Sequence, residues 1–365
     1  MVDEKILVCG AGQGGHAFSG YLSLCGYDVS LYTHTPKKAN IISKNDNTIK
    51  MSGIYSENAK LEKVTNNLED AVKDTDIILI ITDAQAHKYY AEKMFSYLDN
   101  QNIILMSPGV GGALEFKKII DQNNPFNDVY VSETDTLLYS CKTPQIGHSH
   151  VKYVKHNILY TTYPEKNDTL EMFLEKEFPQ FSRVDNPLMG LDDSPVFHIV
   201  GMVLNVDRIL NREDFNFYID GITDEIGNYM EEMDNERINV AKSIGLNPRS
   251  LKEWLVDAYG VQESSLYEMI QNTPPYQNTE EVPNRSPAPK TIYHRYILEE
   301  IPLRAVPTVE IANIFGLDVP CYKEMINMSS EITGINFWKT GRTIKDMGLT
   351  DKDIESWAEY YGKKT

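Results

Sequence analysis

No stretch of this chain approaches the roughly 18 uninterrupted apolar residues of a membrane-spanning helix, so the sequence predicts no such span. Positive charge is scarce: 35 Lys and Arg stand against 53 Asp and Glu, for a formal net charge of −18. The sequence pI is about 4.9. Nucleic-acid binding depends on neutralising phosphates with Lys and Arg, and this balance argues against such a partner. An anionic ligand would need local positive charge set against the global field. Cysteine is sparse too. The four are Cys9, Cys25, Cys141 and Cys321, and none forms a C-x-x-C pair. A disulfide framework is therefore excluded, no metal site is expected, and reduced thiols point to the cytoplasm. Internal repeats and low-complexity tracts are absent. Met1–Lys5 is polar and runs straight into the first apolar stretch, which leaves no room for a signal peptide.

What is present is an ordinary globular composition, 41% apolar and 24% charged over 365 residues, enough for about two domains with full-sized cores. The most informative segment follows the first apolar run, Ile6-Leu7-Val8-Cys9, which reads as a buried parallel strand. Gly10-Ala11-Gly12-Gln13-Gly14-Gly15 comes next, then a helical pattern from His16 to Cys25, closed by Gly26. Strand, glycine turn and helix in this order are the context of a dinucleotide-binding site. Gly10 permits the tight turn, Gly12 lets backbone approach a pyrophosphate, and Gly15 lets the helix pack on the strand. The free N–H groups at the helix start hold the negative charge. An accidental glycine-rich turn is the alternative.

Up to about residue 165 apolar runs alternate with helical patterns. Asp28–Tyr32, Asp76–Ile81, Ile103–Met106 and Val129–Val131 read as strands; Leu68–Val72 and Ala86–Leu98 read as helices. This alternation predicts an α/β, Rossmann-like, doubly wound parallel sheet. Lys152–Thr162 alternates β-formers with polar residues and is expected to add antiparallel strands at the sheet edge. Further on, Asp192-Asp193-Ser194-Pro195 reads as a helix start with Ser194 as N-cap, and Pro195–Leu210 as a core helix. Helical patterns follow at Tyr229–Ser243, Ser250–Tyr259, Thr308–Phe315, Tyr322–Ile332 and Asp351–Tyr361. Between them, Thr273–Thr291 carries Pro274, Pro275, Pro283, Pro287 and Pro289 and reads as a long loop of the kind that often serves function. The predicted division is a nucleotide-binding domain over 1–184 and an all-α catalytic domain over 185–365.

NAD-specific folds place an acid at the end of the second strand to hold the ribose hydroxyls. Here that position holds Tyr32-Thr33-His34-Thr35-Pro36-Lys37-Lys38, with no carboxylate. A 2′-phosphate suits Thr33, His34 and Lys37 better than a bare ribose, which favours NADPH over NADH. The competing reading makes Lys37 and Lys38 solvated residues opening a surface helix.

Two polar residues interrupt the apolar helix. His198 and Asn205 lie two turns apart and so share a face. Buried without partners, each costs a few kcal/mol. His198 is either a satisfied core histidine or a general acid/base lining a cleft. A second polar cluster, His294-Arg295-Tyr296-Ile297-Leu298-Glu299-Glu300-Ile301-Pro302, follows the proline-rich loop. Arg295 has the chemistry to clamp a carboxylate and Glu300 that to orient a histidine. A solvated charge run is the alternative.

The glycine fingerprint, the H-x-x-x-x-x-x-N helix and the R-Y-x-x-E-(D/E)-I-P stretch together resemble the opine dehydrogenase family, which includes the octopine and nopaline dehydrogenases. Thr136-Leu137-Leu138-Tyr139-Ser140-Cys141-Lys142 is similar to a family T-L-P-Y-A-C-R stretch, and Phe337-Trp338-x-x-Gly341-Arg342-Thr343 also matches. The resemblance covers nearly the whole chain. It implies reductive joining of an amino acid's amine to a 2-oxo acid, commonly pyruvate, with NAD(P)H. It also implies His198 as the catalytic histidine, Glu300 in place of a paired aspartate and Arg295 on a substrate carboxylate. Thr136 and Cys141 fall near the oxo-acid site, and Asn205 on the helix-face asparagine. Glu300 is one methylene longer than the family's usual aspartate, Leu138 replaces a common proline, Val110 a polar residue, and Ser194 a tyrosine.

The mechanism this implies makes His198 the donor of the proton that leaves with water as the imine forms, oriented by Glu300. Gly10, Gly12, Gln13, Gly14 and Gly15 cradle the nucleotide. Partners are small molecules, with a homodimer left open. A glycerol-3-phosphate dehydrogenase-like or ketopantoate reductase-like enzyme is the nearest rival and would need a helix lysine, for which Lys242 is the one candidate. A non-catalytic NAD(P)-sensing protein is the rival of another class.

Overall fold

The computed structural model describes residues 4–99, 102–125, 128–192, 194–278 and 286–363. Met1–Asp3, Asp193 and Pro283, which entered the reading above, lie outside the described residues. The chain forms two compact units, Met1–Gly190 and Leu191–Thr365.

The first unit runs β1 (Lys5–Cys9), α1 (Gln13–Leu24), β2 (Asp28–Tyr32), α2 (Pro36–Lys44), β3 (Thr48–Gly53), β4 (Asn58–Lys60), β5 (Lys63–Thr65) and α3 (Leu68–Val72). It continues β6 (Ile77–Ile80), α4 (His87–Met94), β7 (Ile103–Met106), α5 (Gly112–Asn123), β8 (Tyr130–Thr134), β9 (Tyr139–Gln145), β10 (His148–Val154), β11 (Ile158–Tyr163), α6 (Asp168–Glu177) and β12 (Phe181–Arg183). The main sheet has eight strands in the order β12-β11-β8-β7-β6-β1-β2-β5. From β5 to β8 every pairing is parallel, and β11 lies antiparallel to β8. Strands β6 and β7 are buried at every position because helices cover both faces, which explains their unbroken apolar sequence.

A second sheet, β4-β3-β10-β9, was not anticipated. The expected antiparallel extension over Lys152–Thr162 is instead split between two sheets: β10 pairs with β3 and β9, while β11 joins the main sheet. The second sheet covers α1. Phe18 meets Tyr139 edge-on at 5.0 Å, and Ile49, Met51 and Val151 join the core around Phe18 and Leu22. Helix α1 is therefore packed on two sides, and eight of its residues are buried. The strands β3 and β4 of this sheet were hard to read because their outer faces carry exposed Lys50, Asn58 and Lys60 and β4 has only three residues.

The second unit contains α7 (Val196–Val203), α8 (Val206–Leu210), α9 (Asp224–Ser243), α10 (Leu251–Tyr259), α11 (Leu266–Gln271), α12 (Arg295–Leu298), α13 (Val306–Ile314), α14 (Pro320–Thr333), α15 (Phe337–Thr340) and α16 (Asp351–Gly362). A π turn, Ile301–Ala305, joins α12 to α13. Two expectations need correction. Pro195–Leu210 is two helices, because the Asn205 amide donates to the Gly201 carbonyl at 3.0 Å and to the Gly221 carbonyl at 2.8 Å. A side chain that competes for backbone acceptors in this way interrupts the helical ladder. Ser194 does not cap α7; Pro195 occupies that position, and the buried Ser194 hydroxyl makes no hydrogen bond. Buried Arg237 pairs with Asp234 on α9 and ties that helix to the start of the unit through Asp192.

Candidate active site

The glycine turn has the geometry of a nucleotide cradle. Gly10 sits at φ +110°, and a side chain there would strike the Ile81 carbonyl. A side chain on Gly15 would strike the Gly10 carbonyl, so only glycine lets α1 pack this close to β1. Gly12 is the contrast: a Cβ there meets nothing within 4 Å, so the turn keeps an open face at the N-terminus of α1. Gly12 and Gln13 are exposed, while Gly14 and Gly15 are buried. These features fit a pyrophosphate laid against free backbone N–H groups.

Behind the turn lies His16, fully buried. Its Nε2 accepts the Gly147 N–H at 3.0 Å, so the ring proton is on Nδ1, which donates to the Gly12 carbonyl at 2.8 Å. Burial lowers its pKa, with Lys38 adding to the effect against the bond to Gly12. After β2, Thr33 is buried and accepts the Thr35 N–H at 3.3 Å, while His34 and Lys37 are exposed. Lys38 turns back to the glycine turn and donates to the Ala11 carbonyl at 3.1 Å.

Thr136 lies two residues beyond β8, and Cys141 lies on β9 opposite Val151 of β10. The Thr136 hydroxyl accepts from Lys155 at 2.9 Å, and the Thr134 hydroxyl lies 2.9 Å from both Ser107 Oγ and the Thr136 carbonyl. Burial pushes the Cys141 thiol up to about 11, against the opposing charge of Lys155. Cys141 is thus a neutral thiol at working pH. Lys155 was not singled out from sequence; a lysine in a polar strand end carries no local signal.

In the second unit the structure brings together residues far apart in sequence. His198, on α7, sets Nδ1 2.6 Å from Glu300 Oε1 and Nε2 3.1 Å from the Tyr218 hydroxyl. Glu300 is 1% exposed, the His198 side chain 29%. A carboxylate on Nδ1 fixes the ring's orientation and places the exchangeable valence on Nε2. Tyr296 stacks on the imidazole at 3.7 Å and 4°. Tyr296 and Glu300 are four residues apart, so one helical face delivers both to His198. The neighbouring face pairs Arg295 with Glu299 at 3.1 Å, with Glu299 buried and the Arg295 side chain 48% exposed. A π turn begins at the residue after Glu300. Such turns are frequent at functional sites.

Asn205 does not join this group. It is buried and engaged with backbone, as described above. Sequence reasoning missed Tyr218, Tyr276 and Tyr296. Tyr296 lay inside a motif already singled out; Tyr218 lies in an irregular segment without periodic signal. Lys242, the lysine a rival chemistry would need, is exposed in the last turn of α9.

Known proteins match both units. Residues 6–142 match the ketopantoate reductase PanE/ApbA family model. Residues 191–333 match the alpha-helical domain of NAD/NADP octopine/nopaline dehydrogenases. An opine dehydrogenase of Arthrobacter sp. (strain 1C) is 30% identical over 356 residues, 96% of this chain and 97% of the relative. The chain belongs to the opine dehydrogenase family. It is accordingly an NAD(P)-dependent oxidoreductase acting on CH–NH bonds, of the class that reductively condenses an amino acid with a 2-oxo acid. The fold agrees: octopine dehydrogenase in complex with NADH and agmatine superposes with a TM-score of 0.78 at 20% identity, covering 99% of this chain and 98% of that one. The same enzyme with NADH and pyruvate gives 0.75 at 20% identity and 99% coverage of each. No helix among the described residues is long and apolar enough to cross a membrane.

Proposed function

We propose that this opine dehydrogenase joins the amine of an amino acid to pyruvate or a close 2-oxo acid, with His198 as general acid. The observation that carries the reading is the 2.6 Å contact between His198 Nδ1 and Glu300 Oε1, which aims Nε2 outward from a buried carboxylate. Condensation first gives a carbinolamine. His198 supplies the proton that leaves with its hydroxyl as water, and a carbon–nitrogen double bond forms. Acid catalysis by a positioned histidine contributes about 10²–10⁴-fold. Glu300 holds the ring tautomer throughout. Arg295, half-exposed beside buried Glu299, has the charge and fork geometry to clamp a substrate carboxylate and fix the orientation of the imine. Reduced nicotinamide, when bound, supplies the hydride that reduces the double bond. The glycine turn, Gln13 and the N-terminus of α1 hold its pyrophosphate.

We favour NADPH as the donor. No carboxylate follows β2, and His34, Lys37 and Lys38 gather there instead. Thr136 and Cys141 are read as oxo-acid contacts, with Cys141 acting as a neutral, non-nucleophilic wall. The four free thiols fit a reducing cytoplasm. Pyruvate is bound by the octopine dehydrogenase that shares this fold, and is the oxo acid with which to begin.

The test is spectrophotometric. NADPH or NADH oxidation is followed with pyruvate alone, with each member of an amino-acid panel alone, and with both. Oxidation only in the presence of both substrates is expected. Equal rates with pyruvate alone would make the protein a simple 2-oxo acid reductase. A catalytic efficiency favouring NADH more than tenfold would remove the cofactor preference.

A further inference from the structure

The Nε2 atom of a histidine has one in-plane valence. In His198 that valence points at the Tyr218 hydroxyl, 3.1 Å away. A phenol in this position either steps aside for the substrate or stands permanently between it and the ring. The two alternatives differ in how firmly Tyr218 is held.

It is held at three levels. Its ring stacks on Tyr276 at 4.0 Å and 13°, and Phe217 meets it edge-on at 5.2 Å. Its backbone N–H donates to Asn216 Oδ1 at 3.0 Å, and the same oxygen accepts the Ile219 N–H at 3.0 Å. The other end of that amide donates to the Tyr276 carbonyl at 2.9 Å and to Asn278 Oδ1 at 2.7 Å. All four hydrogen-bonding positions of the Asn216 side chain, which is 1% exposed, are therefore occupied, and two of them tie the backbones of the two stacked tyrosines together. The imidazole is clamped in the same way by Tyr296. Two stacked ring pairs thus meet along the Nε2–oxygen contact. Swinging the phenol aside would break the stack on Tyr276 and the contact to His198 Nε2 together, while the Asn216 bonds hold the backbone it hangs from.

We infer that Tyr218 is the terminal proton donor of the reaction, standing between His198 and the substrate oxygen. The inference rests on the acid–base reading of His198. The step balances as follows. Imidazolium Nε2 gives its proton to the Tyr218 oxygen while the Tyr218 hydroxyl proton passes to the carbinolamine hydroxyl. The carbon–oxygen bond breaks and water departs. Tyr218 ends neutral with a proton of its own, and His198 ends as neutral imidazole that accepts the same hydroxyl. A hydroxyl both donates and accepts, so the contact survives either protonation state of the ring. The phenol itself does not ionise in this cycle. Burial raises its pKa well above the ordinary value, and Tyr276, Tyr296, Tyr259 and Glu300 push in the same direction.

Tyr218→Phe tests this, because the stacked ring stays and only the hydroxyl goes. The expected result is a loss of at least about tenfold in kcat, with KM for amine and oxo acid and Kd for the nucleotide within about twofold. A hydroxyl that merely blocks Nε2 gives the opposite: kcat is kept or rises and KM falls, and the inference is overturned. A solvent isotope effect on kcat separates the roles further. Proton inventory in mixed light and heavy water should bow for the native enzyme, with two protons in flight, and a straight line for the native enzyme would also overturn the assignment. One readout needs no turnover: the 15N signal of His198 Nε2 should shift in Tyr218→Phe, and an unmoved signal would mean the contact is not made. His198→Gln is run alongside. If it stays active, the acid–base reading itself fails; if it is inactive and Tyr218→Phe is fully active, only the role of Tyr218 fails.

Discussion

The two units each hold a histidine with both ring nitrogens bonded, and the partners differ in kind. His16 is held between backbone groups, the Gly12 carbonyl and the Gly147 N–H. A backbone N–H cannot accept a proton in return, so one tautomer alone satisfies that site and protonation breaks it. His198 is held between a carboxylate and a hydroxyl, Glu300 and Tyr218. That pair satisfies the neutral and the charged ring equally well. Hydrogen-bond saturation therefore does not separate a structural histidine from a chemical one. The reversibility of the partners does.

The comparison breaks most directly at His198. His198→Gln should lower turnover by at least about a hundredfold while nucleotide binding, followed by cofactor fluorescence, stays intact. Unchanged turnover would put His198 in the same structural class as His16. The next largest effect is expected from Arg295→Ala. Loss of a charge-assisted contact worth about 1.5–3 kcal/mol should raise KM for the carboxylate-bearing substrate at least about tenfold and leave the nucleotide KM alone. An equal change in both would assign Arg295 to folding.

His16 should answer in stability instead of rate. Its lowered pKa means that the unfolded chain binds the proton more readily than the folded one. Stability from this residue is therefore complete above the ordinary histidine value of about 6.5 and declines as pH falls from there toward the lowered folded value. Thermal scans across that interval should show a fall in melting temperature that is absent in His16→Leu. The variant should also lose about 1–3 kcal/mol at neutral pH, since the buried Gly147 N–H is left without an acceptor. A melting temperature independent of His16 across the acid range would erase the contrast.

The smallest expected effect concerns Cys141. With its thiol pushed up to about 11 by burial, alkylation by iodoacetamide at pH 7.5 should be slow and Cys141→Ser should keep most of its activity. Rapid alkylation with loss of turnover would reveal a thiolate and a closer role in the oxo-acid site.

Much of this arrangement was legible beforehand, and the reason is locality. The glycine turn lies within one strand–helix unit, so its spacing alone implied its shape. Arg295 and Glu300 stood out because they share one short motif, and His198 because a histidine in an apolar helix is conspicuous. The one continuous helix expected over Pro195–Leu210 fails at Asn205, which helical spacing put on the face of His198: its amide engages Gly201 and Gly221 where the helix is interrupted. The second sheet escaped notice because its central pairing joins β3 to β10, about a hundred residues further along the chain. Tyr218 escaped because nothing near it in sequence is periodic.

From its order of residues alone, then, the chain determined a parallel nucleotide-binding sheet, a glycine turn facing the start of a helix, and a histidine on an apolar helix. Each of these follows from side-chain size, backbone freedom and periodicity over a few neighbouring residues. Only the folded chain decided that Glu300 and Tyr218 take opposite edges of one imidazole, 102 and 20 positions away along the chain. Contacts at such separations are chosen by how helices and loops pack, and packing has no signature within a local window of sequence.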